Sequence, residues 1–497
     1  MAASFLWYDL ETFGLEPRCE RIAQFAAART DERLEPTGER MTLYCKPTPD
    51  YLPSPQSCLV HGITPQFALG NGLGEYEFSG RILAAMSVPG TTVAGYNSIK
   101  FDDEFLRNLL YRNLRDPYER EYKRGNSRWD LIDLMRAARD LRPEGLVWPE
   151  DDEGRPIFTL GALARANGVV HEAAHDAMHD VLATIGLARL VRQRQPKLFD
   201  WYLSHRTRDS LRPLVDLVER NPLVHCSVAY TTSRGCTTLV APVALDPENR
   251  NQLLAIDLRF DPAPIVGLDV EELRRRVFTK AELLDAERVP LSRIRLNRCP
   301  FLAPASALGD DAAQRLGIDV AACRAHLELI KREPELLQKL AAVFDSPGSA
   351  EEPADPELAL YSRGFFPDAD REAFEALHAA LAASTPAAAR ARAYSLRFED
   401  DRPAQMIRRL FARNWPETLP AAEAARWRDF CAARLQMPPL PECTDLATYR
   451  KVVAQRLEAP MTPARDKGIL LALLEYAGTL EREILGYRPS PGEDADR

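Results

Sequence analysis

The 497-residue sequence lacks several features that would place it in a special class of protein. No apolar stretch approaches the about 18 residues of a membrane-spanning helix, and the N-terminal MAASFLWYDLE has no basic segment. The nine cysteines include no C-x-x-C pair, and no internal repeat is present. These absences predict a soluble, cytoplasmic protein with reduced thiols and without a signal peptide, a membrane anchor or a disulfide scaffold.

The sequence also has fewer positively than negatively charged residues. The chain has 64 Lys and Arg against 73 Asp and Glu, a formal net charge of −9. Because lysine and arginine make the contacts to phosphate, this balance argues against a protein whose whole surface binds nucleic acid, and leaves room only for a local basic face. The hydrophobic content of 45% is ordinary for globular proteins, and the length suits about three domains.

The predicted secondary-structure pattern changes twice along the chain. An α/β pattern gives way to short strands among Pro, Asn and Gly turns, with a helical appendage at 312–344, and then to helical periodicity. The predicted units are an α/β domain at 1–196, a β-rich domain at 197–345, a linker at 346–357, a helical domain at 358–487 and a flexible tail at 488–497. Within the first unit we predict strands at 5–11, 22–30, 41–46 and 91–97, and helices at 102–113, 130–140, 159–167 and 175–194.

The first candidate for chemistry is the pair Asp9 and Glu11. Residues i and i+2 of a strand point to the same face, so the two carboxylates stand side by side at the end of an apolar run. Hard oxygen ligands of this kind suit Mg²⁺ or Mn²⁺. The plain alternative is a strand end that turns into solvent.

A second acid, Asp102, follows the strand that ends in GYN and stands where the next helix is predicted to begin. A carboxylate is favoured there by helix capping and by the helix dipole. One aspartate in this position is therefore also explained as an N-cap.

A third cluster, rich in histidine, is consistent with two functional interpretations. His171, Glu172 and His175 match the H-E-x-x-H pattern of zinc proteases, and His179 continues the series. That motif needs a continuous helix, whereas Gly168 precedes it and favours a later start, near 173–176. The rival reading pairs His175 with Asp180 as H-x-x-x-x-D.

The second interpretation, with His175 and Asp180 as a pair, places the acidic clusters in one site. Asp9, Glu11, Asp102 and Asp180 would hold two divalent ions about 3.5 to 4 Å apart, the arrangement used for in-line phosphoryl displacement. His175, with an ordinary pKa near neutrality, would take the proton of the attacking water.

These ordered motifs resemble the DEDD exonucleases of the His-containing branch, and the match is closer to bacterial exonuclease I. The resemblance rests on YDLETFG (8–14), HGITPQ (61–66), FDDE (101–104), NSRWDL (126–131) and AHDAM-x-DV (174–181), and continues through PENRN (247–251) and RGFF-x-DADR (363–371). It implies a ribonuclease H-like α/β exonuclease domain, a β-rich SH3-like domain and an all-α C-terminal domain.

The same resemblance implies an activity and its partners. The family removes 5′-mononucleotides from the 3′ end of single-stranded DNA, in DNA repair and recombination. It uses two Mg²⁺ ions, with Mn²⁺ able to substitute. By matched position, Asp9, Glu11, Asp102 and Asp180 would be the metal ligands and His175 the base. A monomer is expected, and so is binding of the acidic C-terminal tail of single-strand DNA-binding protein, for which Lys331 and Arg332 are candidates.

A local basic segment offers contacts to the strand. Residues 107–142 hold ten Lys or Arg and six Asp or Glu, with aromatics interleaved, and cations with stacking rings are the components of a single-strand groove. The family resemblance also places strand contacts in this segment. The alternative is a solvated helix with core aromatics. The predicted DNA contacts are Arg107, Tyr118, Tyr122 and Arg136, with Trp201, Arg208 and Asn251 as weaker candidates in the middle unit, where 194–234 is also net basic.

Three other functions remain open from the residues alone. The four acids would equally serve an RNA-directed 3′ exonuclease. The H-E-x-x-H stretch would serve a zinc protease, which predicts bound zinc and indifference to substitution of Asp9. A non-catalytic nucleic-acid-binding module predicts binding in EDTA without cleavage in any metal.

Overall fold

The structure is a computed structural model that describes residues 3–170, 176–345 and 352–486. Its first unit contains a five-stranded mixed sheet in the order β3-β2-β1-β4-β5. The strands are β1 (Ser4–Thr12), β2 (Ile22–Asp31), β3 (Pro36–Tyr44), β4 (Thr91–Gly95) and β5 (Ser127–Asp130). Strand β2 pairs antiparallel with both β1 and β3, whereas β4 pairs parallel with β1 and with β5. The four predicted strands are present, and β5 was not predicted.

Within the part of this unit that the structure describes, seven α-helices accompany the sheet. They are α1 (Pro55–His61), α2 (Pro65–Asn71), α3 (Glu75–Met86), α4 (Asp102–Arg112), α5 (Leu131–Leu141), α6 (Leu160–Ala166) and α7 (Ala177–Arg194). The last four correspond to the four predicted helices, whereas α1 to α3 were not predicted. Helix α1 follows an N-cap at Ser54, whose side chain accepts a hydrogen bond from the Ser57 N–H.

The two faces of β1 pack against different helices. Phe5 and Trp7 belong to a core that includes Val181 of α7, and the even-numbered Tyr8 and Leu10 join a second core with α3 and α4. Successive strand residues alternate between faces, so Asp9 and Glu11 lie on the side of the sheet that α7 covers.

The middle unit is built on an antiparallel sheet in the order β10-β6-β7-β8-β9. Its strands are β6 (Leu223–Cys226), β7 (Thr237–Leu245), β8 (Gln252–Asp257), β9 (Leu291–Arg295) and β10 (Phe301–Pro304). Its helices are α8 (Pro196–Ser204), α9 (Arg208–Leu211), α10 (Val270–Phe278), α11 (Asp310–Leu316), α12 (Val320–Arg332) and α13 (Pro334–Ala342). The helical appendage predicted at 312–344 is present as α11 to α13.

The regular secondary structure of the remaining described residues is helical. The helices are α14 (Asp368–Ala383), α15 (Pro386–Ala393), α16 (Arg402–Asn414), α17 (Ala421–Gln436), α18 (Leu446–Glu458) and α19 (Ala464–Ile484). The predicted tail at 488–497 lies outside the described residues.

A buried ion-pair network fastens this helical unit to the first one. Arg413 of α16 contacts Asp50 at 3.1 Å and Glu357 at 3.0 Å, and Arg21 reaches Asp50 at 3.2 Å. Although burial works in the opposite direction, Arg413 and two further arginines lower the pKa of Glu357 to about 2. Apolar contacts extend the same interface between the two units, which we call the seam, since Phe13 of the first unit shares a core with Leu470 of the helical unit. The end of the predicted linker is therefore packed in this seam at Glu357.

One expectation about the cysteines is wrong. A disulfide joins Cys19, in the turn between β1 and β2, to Cys443, between α17 and α18. The sequence gives no sign of the pairing because 424 residues separate the two, and only the docking of the helical unit brings them together. The other seven cysteines are free and buried.

None of the helices that the structure describes is long and apolar enough to cross a membrane.

Candidate active site

Three of the five residues predicted to perform the chemistry come together at the end of β1. One carboxylate oxygen each from Asp9, Glu11 and Asp180 lies within 4.8 Å of the others. Asp180 reaches them because it stands in the first turn of α7, which packs across β1 and β2. Asp176 caps that helix by accepting hydrogen bonds from the N–H groups of Met178 and His179, at 3.0 and 3.4 Å.

Asp102 enters the site from the adjacent connection. Strand β4 pairs with β1 only as far as Trp7, so the far end of β1 is open on that side. There the Asp102 carboxylate accepts a hydrogen bond from the Leu10 N–H at 3.1 Å. Helix α4 begins at Asp102 as predicted, but its N-cap is Phe101 and no side chain caps it. The capping interpretation of Asp102 is therefore wrong.

Burial and the crowding of carboxylates together determine the electrostatics of this site. Burial, and then repulsion from Asp102, Asp180 and Glu11, raises the pKa of Asp9 well above its ordinary value. Burial and the charges of Asp180 and Asp102 raise the pKa of Glu11 to about 9. A compensating cation relieves this kind of repulsion and lowers such pKa values again.

The next residue, Asp103, has the opposite surroundings. Its carboxylate accepts hydrogen bonds from Arg120 and Arg128, both at 2.7 Å, and from the Tyr8 hydroxyl at 2.8 Å. Burial raises the pKa of Asp103, but these arginines outweigh it and hold the value well below the ordinary range. Asp103 is thus a structural anchor that keeps α4, and with it Asp102, in place.

The site fits a divalent metal. Asp9, Glu11 and Asp180 offer hard oxygen ligands at a separation that one or two ions bridge, and Asp102 lies beside them. The largest charge contributions at Asp9 and Glu11 come from neighbouring carboxylates. The donor set therefore has the chemistry of a Mg²⁺ or Mn²⁺ site.

The histidine motif falls at the boundary of the described chain. Residues 171–175, and with them His175 and the whole H-E-x-x-H stretch, lie outside the described residues. The described part of the motif shows His179 beside Asp176, with Nδ1 3.3 Å from the carboxylate. The role of His175 stays a prediction.

Two of the predicted DNA contacts are buried. Arg107 is 4% exposed and binds Glu104 and Glu121, at 3.0 and 2.8 Å, while Arg136 is 7% exposed and binds Asp133 at 2.7 Å. At these positions the residues do not form a basic surface, because a count of charges along 107–142 does not show which arginines are buried in ion pairs. Their contact with DNA stays a prediction that the described geometry does not support.

The two predicted tyrosines are better placed. Tyr122 is 63% exposed, and Tyr118 lines a cavity of about 460 Å³ between the first and helical units, which we call the seam cavity. Its other walls include α3, the segment 115–126 and the segment 360–378. Phe365 meets Tyr118 edge to face there, with ring centroids 5.6 Å apart, and is itself 78% exposed.

The weaker candidates are spread over the middle unit. Trp201 stacks on His205 and donates its indole N–H to the Leu302 carbonyl at 3.0 Å, so its ring already has a partner. Arg208 begins α9, and Asn251 lies just before β8; both are partly exposed. Lys331, a candidate for the partner tail, pairs with Glu328 at 3.3 Å, and Arg332 ends α12.

Two features of the site were missed in the sequence. Asp103 was not distinguished from Asp102, because two adjacent acids in FDDE do not indicate which of them pairs with arginines. Phe365 was quoted only as part of RGFF-x-DADR, and the sequence does not show that its ring is exposed while that of Phe366 packs against a core.

Family comparisons agree with this geometry. Three family models match the chain: "Exonuclease" at residues 6–188, "Exonuclease I SH3-like domain" at 206–346 and "Exonuclease I C-terminal domain" at 354–480. Exodeoxyribonuclease I of Escherichia coli is 44% identical over 426 residues, which cover 86% of this chain and 88% of that protein. The chain belongs to the exonuclease I family. The predicted fold, an α/β exonuclease domain followed by SH3-like and helical domains, is confirmed.

Solved structures of exonuclease I have the same fold throughout. E. coli exonuclease I in complex with a dA16 oligonucleotide matches with a TM-score of 0.91 at 40% identity, over 96% of this chain and all of that one. An ExoI/SSB-Ct complex matches with a TM-score of 0.88 at 40% identity, over 97% of this chain and all of that one.

Proposed function

We propose that this exonuclease I family member degrades single-stranded DNA from the 3′ end to 5′-mononucleotides, by hydrolysis that depends on two divalent ions, Mg²⁺ in the cell. The observation that carries the proposal is the convergence of Asp9, Glu11 and Asp180 at the end of β1, with Asp102 beside them. It stands in a chain that matches exodeoxyribonuclease I over most of its length.

The four carboxylates are the proposed metal ligands. Bound divalent ions would supply charge neutralisation at the phosphate and a lowered pKa for the attacking water. The protein's part is to hold the ligands in place before the substrate arrives. The antiparallel pairing of β1 with β2 fixes Asp9 and Glu11, the cap at Asp176 fixes Asp180, and the Leu10 N–H fixes Asp102.

Proton transfer is the proposed task of His175. A neutral imidazole accepts the proton of the attacking water near neutral pH, as the scissile P–O bond breaks and the 3′-terminal nucleotide leaves with its phosphate. In the sequence, His175 directly precedes Asp176, the residue that caps α7.

The seam cavity is the proposed platform for the strand. Bases stack on exposed aromatic rings and phosphates bind nearby cations, and such stacking is tolerant of sequence. Tyr118 and Phe365 supply rings from two different units, while Lys123 and Arg124, both exposed, border the cavity. Arg107 supports Tyr118 from behind, with its guanidinium 5.2 Å from the ring centroid.

The proposed protein partner is the C-terminal tail of single-strand DNA-binding protein, as in the ExoI/SSB-Ct complex. An acidic peptide needs accessible cations on this net acidic chain, and the end of α12 offers the exposed Arg332 and the partly exposed Lys331, which would exchange its partner Glu328 for the peptide. Such a contact would bring the enzyme to strands that the partner already covers.

A ladder assay tests the reaction. A 5′-labelled single strand is incubated with Mg²⁺ or with EDTA, beside a matched RNA, using the wild type, Asp9→Ala and the surface control Asp152→Asn. The expected result is shortening from the 3′ end of the DNA in Mg²⁺ alone, lost in Asp9→Ala and kept in the control. An intact DNA strand in Mg²⁺, or equal cleavage by Asp9→Ala, would overturn the proposal, and preferred cleavage of the RNA would redirect it.

A further inference from the structure

The bond between Cys19 and Cys443 joins two units that pack together in any case. Cys19 is 3% exposed and lies eight positions after Glu11, in the turn that connects β1 to β2. Cys443 is partly exposed and lies in the connection between α17 and α18. The bond therefore ties the turn that follows the metal-binding strand to the helical unit.

Neighbouring charges bring the same two segments together. Arg18 precedes Cys19 and Glu442 precedes Cys443, and their side chains lie 4.0 Å apart. The buried ion pairs of Arg413 hold the units together a short distance along the seam. These contacts are separate from the disulfide, and we expect them to keep the two sulfur atoms close together when the bond is reduced.

The seven other cysteines have a different character. All are buried, and burial raises the thiol pKa of every one of them, which disfavours the reactive thiolate. They are Cys45, Cys58, Cys226, Cys236, Cys299, Cys323 and Cys431. Cys443, by contrast, is within reach of a dissolved thiol or disulfide. Reduction and oxidation of the chain are thus directed to one pair of sulfurs.

We propose that Cys19 and Cys443 form a reversible redox-modification site, which takes low-molecular-weight disulfides as oxidants and thiols as reductants and tightens the seam between the nuclease and helical units when oxidised. Starting from the reduced pair, the Cys443 thiolate attacks a small disulfide and releases one small thiolate, which takes up a proton. Cys19, once deprotonated, then attacks the Cys443 Sγ and releases the second thiol. Two protein thiols are oxidised, and one small disulfide is reduced to two thiols.

The consequence for activity rests on the proposed function. The seam cavity takes one ring from each of the two tied units, Tyr118 and Phe365. A covalent tie that limits motion between those units retains the strand for more cycles before it dissociates. We expect the chemical step at Asp9 and Glu11 to stay unchanged, because the strand pairing that fixes these acids does not involve Cys19 or Cys443.

Thiol counting tests the site without reference to activity. The wild type is treated with oxidised glutathione or with a phosphine reductant, denatured, labelled with a maleimide and weighed by mass spectrometry. The expected count is seven labels after oxidation and nine after reduction, since the chain has nine cysteines of which seven are free. Cys443→Ser and Cys19→Ser should each carry eight free thiols after reduction, and neither should form the intramolecular bond. Nine labels on the oxidised wild type would overturn the proposal.

Two further measurements test the tightening. Thermal unfolding should show a Tm several degrees higher for the oxidised than for the reduced wild type, whereas Cys443→Ser should melt at the reduced Tm in both buffers. Strand retention is measured as the fraction of labelled DNA degraded to completion after a trap of unlabelled DNA is added. It should fall at least twofold on reduction, with an unchanged initial rate at saturating DNA.

The possible failures are distinguishable. An inactive enzyme with the expected thiol counts and Tm difference would refute the proposed function and leave the redox site standing. Equal Tm values in the two redox states, or a redox-dependent Tm in Cys443→Ser, would refute the tightening. Equal strand retention in an active enzyme would refute its effect on the strand.

Discussion

Asp102 and Asp103 are adjacent in the sequence and both buried, yet their surroundings shift their pKa values in opposite directions. Asp103 is held by Arg120 and Arg128, which keep its pKa well below the ordinary range. Asp102 lies among other carboxylates, and burial together with repulsion from Asp103 raises its pKa well above that range. The comparison teaches that a buried acid with its own arginines serves stability, whereas a group of acids that raise one another's pKa values is a site for an added cation.

The sharpest test of this comparison replaces Asp102 by asparagine. The change removes a proposed metal ligand while it keeps the side-chain shape, so nuclease activity should fall by at least about a hundredfold. The free energy of unfolding without metal should stay the same or rise, because one repelling charge is gone. Steady-state cleavage of a single strand and urea unfolding in EDTA measure the two effects. A variant with near-normal turnover would contradict the assignment of Asp102.

The matching change at Asp103 should act on the other quantity. Asp103→Asn leaves Arg120 and Arg128 buried with a weakened partner, and breaking a buried ion pair costs about 3 to 5 kcal/mol of stability. Urea unfolding should show this loss directly. Activity per folded molecule should fall far less than in Asp102→Asn, and equal losses in the two variants would remove the distinction between the neighbours.

The pH dependence of the seam extends the comparison to another paired acid. The pKa of Glu357 is lowered from its ordinary 4.5 to about 2 in the folded state, so its charge stabilises the fold above pH 4.5. That contribution is lost as the pH falls from about 4.5 towards 2, because the unfolded state takes up the proton first. Unfolding free energies at a series of acidic pH values should fall less steeply in Glu357→Gln than in the wild type. Identical slopes would show that Glu357 does not contribute.

The smallest expected effect concerns the strand rather than the acids. Phe365→Ala removes an exposed ring from the seam cavity and should weaken binding of a short oligonucleotide by about 1 to 3 kcal/mol. Fluorescence anisotropy in EDTA measures binding without cleavage. Met461→Ala is the matched control, since Met461 is 90% exposed outside the cavity. Equal affinities of the two variants would exclude Phe365 from the strand path.

The chemistry was easier to predict from the sequence than the surface. Asp9 and Glu11 are two positions apart, and the period of a strand fixes their common face. Asp180 follows from a helix start that Gly168 and the acid pattern indicate. The charges near Arg107 misled because its partner Glu121 is fourteen residues away, and a sum over the segment counts such a buried pair as if it were exposed.

Elements that depend on distant parts of the chain were the hardest to predict. Strand β5 has only four residues and is recognised by its pairing with β4. The link between Cys19 and Cys443 depends on how the helical unit docks. Helices α1 and α2 are different, because Ser54-Pro55 and Thr64-Pro65 are local start signals that the sequence does contain.

Direct measurement of bound metal tests the central claim. Mn²⁺ is titrated into the wild type, Asp9→Asn and Asp103→Asn, and free Mn²⁺ is followed by electron paramagnetic resonance. Saturable binding of two ions by the wild type, weakened at least about tenfold in Asp9→Asn and retained in folded Asp103→Asn, is the expected result. Binding by Asp9→Asn with the affinity and stoichiometry of the wild type would contradict the assignment of these acids as the metal site.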